Sequence, residues 1–231
     1  MVSRWRFGWG WSEAELRAYL DELRQARPNF DERPERMTPK HGWTVDGADQ
    51  PLGHEPPGSP VADGIFERAK QAIINYDFSD PRIVVGHFDP VTPLPDRDIL
   101  LEIKTLGLRF LGGVRVHTVR DEADDTRTSF GFRYDTLEGH FERGFEWFLL
   151  SKSHASGEVR FRIQAHWRMG DFPTCWSRLG FLVLGGASRA LWRRRAVARL
   201  RRLAHQPAEG PVAEPGRLAH RGDRTARRRA G

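Results

Sequence analysis

The stretch of sequence that decides the fold is Phe130-Gly131-Phe132-Arg133-Tyr134-Asp135-Thr136-Leu137-Glu138-Gly139-His140. Apolar and polar residues alternate along its first half, as they do in a strand with one buried face. The same alternation recurs at residues 98–119 and 145–149, and it is clearest at residues 159–167. Turn residues separate these segments, so the pattern predicts a sheet of successive antiparallel strands.

Helices are predicted on both sides of these strands. Ser12-Glu13-Ala14-Glu15 has the pattern of a capping box, which starts a helix that continues to about residue 26. Asp63 is the expected cap of a second helix that ends near Tyr76. After Pro173 no proline occurs before Pro207, which allows one long C-terminal helix.

The chain divides into three parts on this reading. Residues 1–62 are expected to form an N-terminal helix and an extended connection, and residues 63–205 one domain. Residues 206–231, rich in Arg, Pro, Gly and Ala, are expected to be a disordered tail. The predicted fold class is α+β: a curved antiparallel β-sheet wrapped around a long C-terminal helix, with an N-terminal helical and extended extension.

The amino-acid composition limits the cellular compartments and the binding partners that we expect. The single Cys175 excludes a disulfide framework, and neither a signal peptide nor a transmembrane segment is evident, so a cytoplasmic location is expected. The net charge of +6 belongs to the C-terminal end, because residues 189–231 contain 13 arginines and 3 acidic residues and carry +10. The remaining chain carries −4. We expect no nucleic-acid partner from this charge distribution, and the oligomeric state is left open.

The strand at residues 130–140, followed by Gly144, Glu146 and Phe148, resembles uncharacterised protein family 0548, or DUF1990, found in bacteria and plants. That family typically has Tyr-Gly-Thr-Leu-x-Gly-His and then Gly-Glu-x-x-Phe. The resemblance covers roughly Phe66 to Leu203 and implies no established activity. Asp135 stands where the family usually has Gly, so a positive φ is expected there if the motif needs one.

The order of elements also resembles a helix-grip fold, as in START and polyketide-cyclase-like proteins. That resemblance implies an apolar cavity between sheet and helix, and hence a small hydrophobic ligand without a cofactor or a metal. The expected ligand-binding residues are large apolar side chains of the strands and the helix: Phe130, Phe132, Trp147, Phe161, Ile163, Trp167 and Leu182.

Two alternatives remain open at this stage. Tyr134, Glu138 and His140 are the candidate catalytic residues of an enzyme, because alternate residues of a strand share a face and these side chains suit acid–base chemistry. Against this stands a structural role, in which Thr136 and His140 bond backbone groups of a tight turn. The second alternative to ligand binding is a nucleic-acid or membrane-surface binder that uses the Arg-rich C-terminal end.

Overall fold

The computed structural model describes the backbone of residues 4–170 and 175–206, and the side chains of these residues except 175–185. Its helices and strands are, in chain order, β1 (Arg4–Phe7), α1 (Glu13–Leu23), β2 (Thr44–His54), α2 (Ile65–Ile74), β3 (Val84–His87), β4 (Asp98–Thr105), β5 (Leu108–Ala123), β6 (Arg127–Thr136), β7 (Glu142–Ser153), β8 (Glu158–Met169) and α3 (Cys175–His205). The predicted tail lies outside the described residues apart from Gln206.

The eight strands form one antiparallel sheet in the order β2-β8-β7-β6-β5-β4-β3, and β1 pairs with the start of β5. The sheet curls towards α3 but does not close, since β2 and β3 remain its edges among the described strands. A β-bulge at His117, where the register of β5 against β6 shifts, adds to the bend. The predicted α+β class and the helix-grip arrangement are confirmed.

The inner face of the sheet, which we define as the face towards α2 and α3, carries the main core. Alternate residues of each strand point to this face, which is the period that the sequence showed. The C-terminal half of α3 contributes Trp192, Val197 and Leu200 to this core. Phe148 lies at its centre, with ring centroids 4.8 Å from Phe78 and 5.1 Å from Phe132.

The outer face of the sheet is covered by the N-terminal part of the chain. The apolar side of α1, including Leu16, Leu20 and Leu23, packs on the outer residues of β4 and β5. The capping box predicted at Ser12 and Glu15 is present at the start of this helix. The segment after α1 brings Met37 and Trp43 onto β7 and β8. The outer face is therefore covered in part, while residues such as His117 and Arg162 remain exposed.

Two strands lie where the sequence predicted none. In β2 the chain contains Asp, Gly and Pro, which weakens the strand pattern, and Pro51 is tolerated because β2 is an edge strand. At Gly47 the backbone of β8 comes so close that a Cβ would clash with the Ile163 carbonyl. In β1, Trp5 and Phe7 are exposed, as is the neighbouring Trp9.

The start of α2 differs from the prediction. Gly64 occupies the cap position and Asp63 lies outside the helix with a φ of 53°. The carboxylate of Glu55 replaces the missing cap, because it accepts hydrogen bonds from the amides of Val61 and Phe66. Glu55 also pairs with the fully buried Lys152 at 2.7 Å. Burial opposes ionisation of Glu55, but Lys152 and the two amides together lower its pKa.

Replacement of Lys152 tests the importance of this buried pair. Lys152→Met leaves the Glu55 charge buried without its cation, so we expect the free energy of unfolding to fall by about 3–5 kcal/mol. Arg162→Met is the matched control, since Arg162 pairs with Asp49 at the surface and its loss is expected to cost less than about 1 kcal/mol. Urea unfolding measures both. Equal small losses would contradict the assignment.

Candidate functional site

A group of charged and polar side chains lies between the inner face of the sheet and the middle of α3. We call it the inner polar cluster, and its members are Asp46, Tyr134, Glu142, Glu146, Arg189 and Arg193. Cross-strand pairing builds it, because Tyr134 lies opposite Glu146, Glu146 opposite Ala165, and Ala165 opposite Asp46. Arginines from two successive turns of α3 then reach down to the sheet.

Hydrogen bonds organise the cluster in pairs. The Tyr134 hydroxyl donates to Glu146 Oε2 at 2.6 Å. Arg189 donates to Glu142 at 2.7 Å, and Arg193 donates to Asp46. The guanidinium of Arg189 also lies 3.7 Å from the ring centroid of Trp167. Both of these arginines of α3 are therefore paired with an acidic residue of the sheet.

Glu146 is the titrating group of this cluster. Burial raises its pKa from 4.5 to about 7, although the hydrogen bond from Tyr134 and the charge of Arg193 oppose the shift. Burial and the charge of Glu146 also raise the pKa of Tyr134, which stays protonated at neutral pH. Such a carboxyl can donate or accept a proton near neutral pH, which is the property of a general acid or base.

His140 is buried on the inner face, at the turn between β6 and β7. Its Nδ1 lies 3.0 Å from the amide nitrogen of Glu142 and 3.1 Å from the carbonyl oxygen of Glu142, so it accepts from the amide in one tautomer and donates to the carbonyl in the other. Nε2 is buried and has no hydrogen-bond partner. Burial lowers the pKa of His140 to about 4. The ring lies over Gly112, where a Cβ would clash with it.

The structure separates Glu138 from Tyr134 and His140. Strand β6 ends at Thr136, so the alternation that placed Glu138 on their face stops before it. Glu138 is exposed, and its backbone amide and carboxylate bond the backbone of Arg27. The three predicted catalytic residues therefore do not converge. Tyr134 has Glu146 as its acidic neighbour instead.

The rest of the motif holds the N-terminal segment to the sheet. Thr136 donates to the Asn29 side chain at 2.7 Å and accepts from the Gly144 amide at 2.8 Å. The Asn29 amide group donates in turn to the carbonyl of Glu142 at 2.9 Å. The backbone-bonding role that the sequence offered for Thr136 and His140 is thus the one their contacts show.

Asp135 does not have the expected positive φ. It lies within β6 on the outer face, where Arg133 donates to its carboxylate at 3.0 Å, and it is absent from the described residues with positive φ. The glycine of the family pattern is therefore not required by the backbone at this position, because an extended strand accepts any L-residue.

The predicted ligand-binding residues fall into three groups. Phe130, Phe132, Phe161 and Ile163 lie buried in the inner core. Trp167 lies at the edge of that core under Arg189. Trp147 was expected on the same face but lies on the outer one, where it packs near Phe145 and under Arg120. The side chain of Leu182 lies outside the described residues.

The Arg-rich second half of α3 is largely engaged with the body of the protein. Arg195 pairs with Asp80, and Arg199 and Arg201 donate to backbone carbonyls of residues 77 and 51. Within residues 4–170 and 175–206, no three His, Cys, Asp or Glu side chains are grouped to hold a metal ion. Among the same residues, no helix combines the length and apolar composition that a membrane span needs.

Several members of the cluster were not predicted as site residues. Glu146 was noted as part of a motif, Asp46 lies in a strand that was not predicted, and Arg189 and Arg193 were counted only in the charge of the C-terminal end. What these residues share is a charged side chain on the buried face of a strand or helix. That signal requires knowing which elements face each other.

Comparisons with protein families and with solved structures both gave matches. A family model for a domain of unknown function, DUF1990, matches residues 28–202, which include β2 and thus begin earlier than the expected resemblance. The chain is similar to the solved structure of Ara h 8.0201, with 9% identity, 71% of this chain and 98% of that chain covered, and a TM-score of 0.39. For hypothetical protein jhp0584 from Helicobacter pylori these values are 14%, 74%, 96% and 0.40. Curated proteins gave no match.

The pH dependence of stability tests the environment of Glu146. Its carboxyl binds a proton more tightly in the folded chain, so its contribution to stability is full below about pH 4.5 and is lost as the pH rises through about 7. Glu146→Gln lacks this titration. The stability of the wild type minus that of Glu146→Gln should therefore fall by about 3 kcal/mol over this interval.

Urea unfolding at several pH values measures this difference. The titration of His140 is common to both proteins and cancels. The charges that face Glu146, namely Arg193, Glu142 and Asp46, are likewise unchanged in the variant. A difference that stays constant from about pH 4.5 to about pH 8 would show that Glu146 titrates normally.

Proposed function

The chain belongs to the DUF1990 family, a domain of unknown function, and from that premise we propose that it binds a small apolar ligand between the sheet and α3. The ligand would lie with its apolar part against the inner face. The proposed entrance is the end of this face at Glu142 and Arg189, whose side chains are partly exposed.

Residual exposure within the inner face is the observation that supports this proposal. Phe132, Phe148 and Phe161 have 0% exposure, so the core under the end of α3 is filled by protein side chains. The exposed fraction rises to 7% at Tyr134 and 9% at Glu146. Neighbours with similar exposure are Ala165 and Trp192, at 6% and 7%. Side-chain packing is thus slightly less complete at the inner polar cluster than at these three phenylalanines.

Concave, largely apolar sites with a few polar groups are the usual places for small ligands. The inner polar cluster supplies the polar groups, and the aromatic rings of Tyr134 and Trp167 supply apolar surface. Burial of apolar ligand surface there is favourable by roughly 25 cal/mol per Å². A ligand of modest size would therefore bind without a cofactor.

Acid–base catalysis is the second candidate function. It is favoured by the contact between Tyr134 and Glu146, since a carboxyl with a pKa of about 7 can exchange protons with a bound substrate. Residues Tyr134 and His140 would keep their predicted place in such a site, with Glu146 in place of Glu138. The same arrangement of Tyr134 and Glu146 would serve a binding protein or an enzyme. Both functions require a bound ligand, so ligand binding is tested first.

Binding to nucleic acid or to a membrane surface has less support. The arginines of α3 that would provide the charge, such as Arg193 and Arg195, are paired with Asp46 and Asp80. The remaining Arg-rich sequence lies in residues 207–231, outside the described chain. The cytoplasmic location stays a prediction.

A neutral fluorescent probe tests the proposed site. N-phenyl-1-naphthylamine should bind saturably to the purified full-length protein, with a blue shift that reports an apolar environment. Ala165→Phe places a ring at the partly accessible end of the inner face, so it should weaken binding at least about tenfold. Ala165→Ser is the matched control and should bind within about twofold of the wild type.

Thermal unfolding and near-UV circular dichroism identify any variant that has lost its packing, and binding is interpreted only for those with native spectra. If Ala165→Phe is not native, Ala165→Leu replaces it as the smaller blocking variant. Absence of saturable binding to the wild type would contradict the proposed function. Equal binding to the blocked variant would place the probe elsewhere.

A further inference from the structure

Tyr76 occupies a backbone position that usually belongs to glycine. It follows Asn75, the residue that caps the C-terminal end of α2, and has a φ of 60°. The amide of Tyr76 bonds the carbonyl of Ile73, and the amide of Asp77 bonds that of Ala72, which is the Schellman motif of a helix end. Glycine is favoured at this position because a side chain clashes with its own backbone there.

The surrounding chain accommodates the ring of this tyrosine. A Cβ at Gly86 in β3 would come within 2.6 Å of Tyr76 Cδ1, so glycine is needed there to make room. The ring packs on Phe78 and Phe148, with centroids at 4.9 Å and 6.1 Å. Packing alone would be served equally well by phenylalanine. The hydroxyl is the part of the side chain that packing does not explain.

The hydroxyl of Tyr76 is buried and meets no partner with hydrogen-bond geometry, although the Tyr134 hydroxyl is close enough to oppose the rise of its pKa. Its polar neighbours are Tyr134 and Glu146, which lie near enough to influence its pKa. A buried hydroxyl without a partner destabilises the folded state, so such groups usually bond protein, water or ligand. Strained residues that carry an unused polar group are typical of binding sites.

The charges of the inner polar cluster restrict what this hydroxyl can bind. Glu142 is paired with Arg189 and Asp46 with Arg193, so the cations described in the cluster are already neutralised. A carboxylate ligand would meet the carboxyl of Glu146 and no further cation within the cluster. At about pH 6, where Glu146 is mostly protonated, an ammonium group would have to ionise it in a buried place. An uncharged hydroxyl or ketone can bond tyrosine hydroxyls without any of these costs.

We propose that Tyr76, Tyr134 and Glu146 form a subsite for an uncharged hydroxyl or ketone group at the polar end of the ligand. This inference rests on the proposed function and specifies the chemical class of its ligand. Tyr134 and Glu146 hold each other in place, and Tyr76 contributes the free donor. The apolar remainder of the ligand lies towards Ala165 and Trp167.

Four ligands with one ring system but different polar groups test the subsite: 2-naphthol, naphthalene, 2-naphthoate and naphthalene-2-methylammonium. Each is titrated against the probe–protein complex at about pH 6, where 2-naphthol is uncharged and the carboxyl of Glu146 is mostly protonated. We expect 2-naphthol to displace the probe at about tenfold lower concentration than naphthalene and both ions. Tyr76→Phe and Tyr134→Phe should each reduce the preference for 2-naphthol over naphthalene to about twofold or less.

Tyr19→Phe is the matched control, because the chain has three tyrosines and Tyr19 lies in α1 on the other side of the sheet. It should keep the full preference for 2-naphthol. Equal affinity for naphthalene and 2-naphthol, tighter binding of either ion, or a preference that survives both tyrosine variants would overturn the subsite but leave apolar binding intact. If neither the probe nor any of the four compounds binds, the proposed function itself fails.

Discussion

Both faces of the sheet carry apolar side chains that must be buried, and this constraint explains the arrangement of the rest of the chain. Helices α2 and α3 cover the inner face, and the N-terminal segment covers the outer one. Two successive glycines of β5 illustrate how tightly the layers meet. Gly112 receives the ring of His140 on the inner face, and Gly113 receives Leu23 of α1 on the outer face. A side chain at either position would separate a layer from the sheet.

Burial on both faces makes every polar group inside the protein costly unless it is paired. Lys152 and Glu55 satisfy this condition, and so do Arg193 and Asp46. The hydroxyl of Tyr76 and the Nε2 atom of His140 do not, and Glu146 has a raised pKa through burial. Buried atoms without a hydrogen-bond partner also occur elsewhere, at Glu32 and Asp135, but Tyr76, His140 and Glu146 all lie on the inner face. Their position is the physical basis for treating that face as a binding site.

The sequence predicted the parts of the fold that depend on local pattern. The strands from β4 to β8 show alternation, α1 has its capping box, and the absence of proline allows α3. It failed where distant contacts decide the conformation. Strand β2 exists because β8 offers it an edge, and the cap of α2 is Glu55 rather than the adjacent Asp63. Trp147 lies on the outer face, whereas the sequence predicted the inner one. Both faces carry covered apolar residues, so a large apolar side chain does not reveal which face it occupies. Among the residues of the candidate site, Tyr134 was predicted, but the acid that it bonds, Glu146, comes from another strand.

Intermolecular nuclear Overhauser effects between bound 2-naphthol and the protein test the central claim most directly. The account predicts contacts from the naphthol ring to the Ala165 methyl group and to the ring protons of Tyr76 and Tyr134. Contacts confined to the exposed aromatic side chains Trp5, Phe7 and Trp9 would mean that the compound binds at the surface. That result would contradict a ligand site between the sheet and α3.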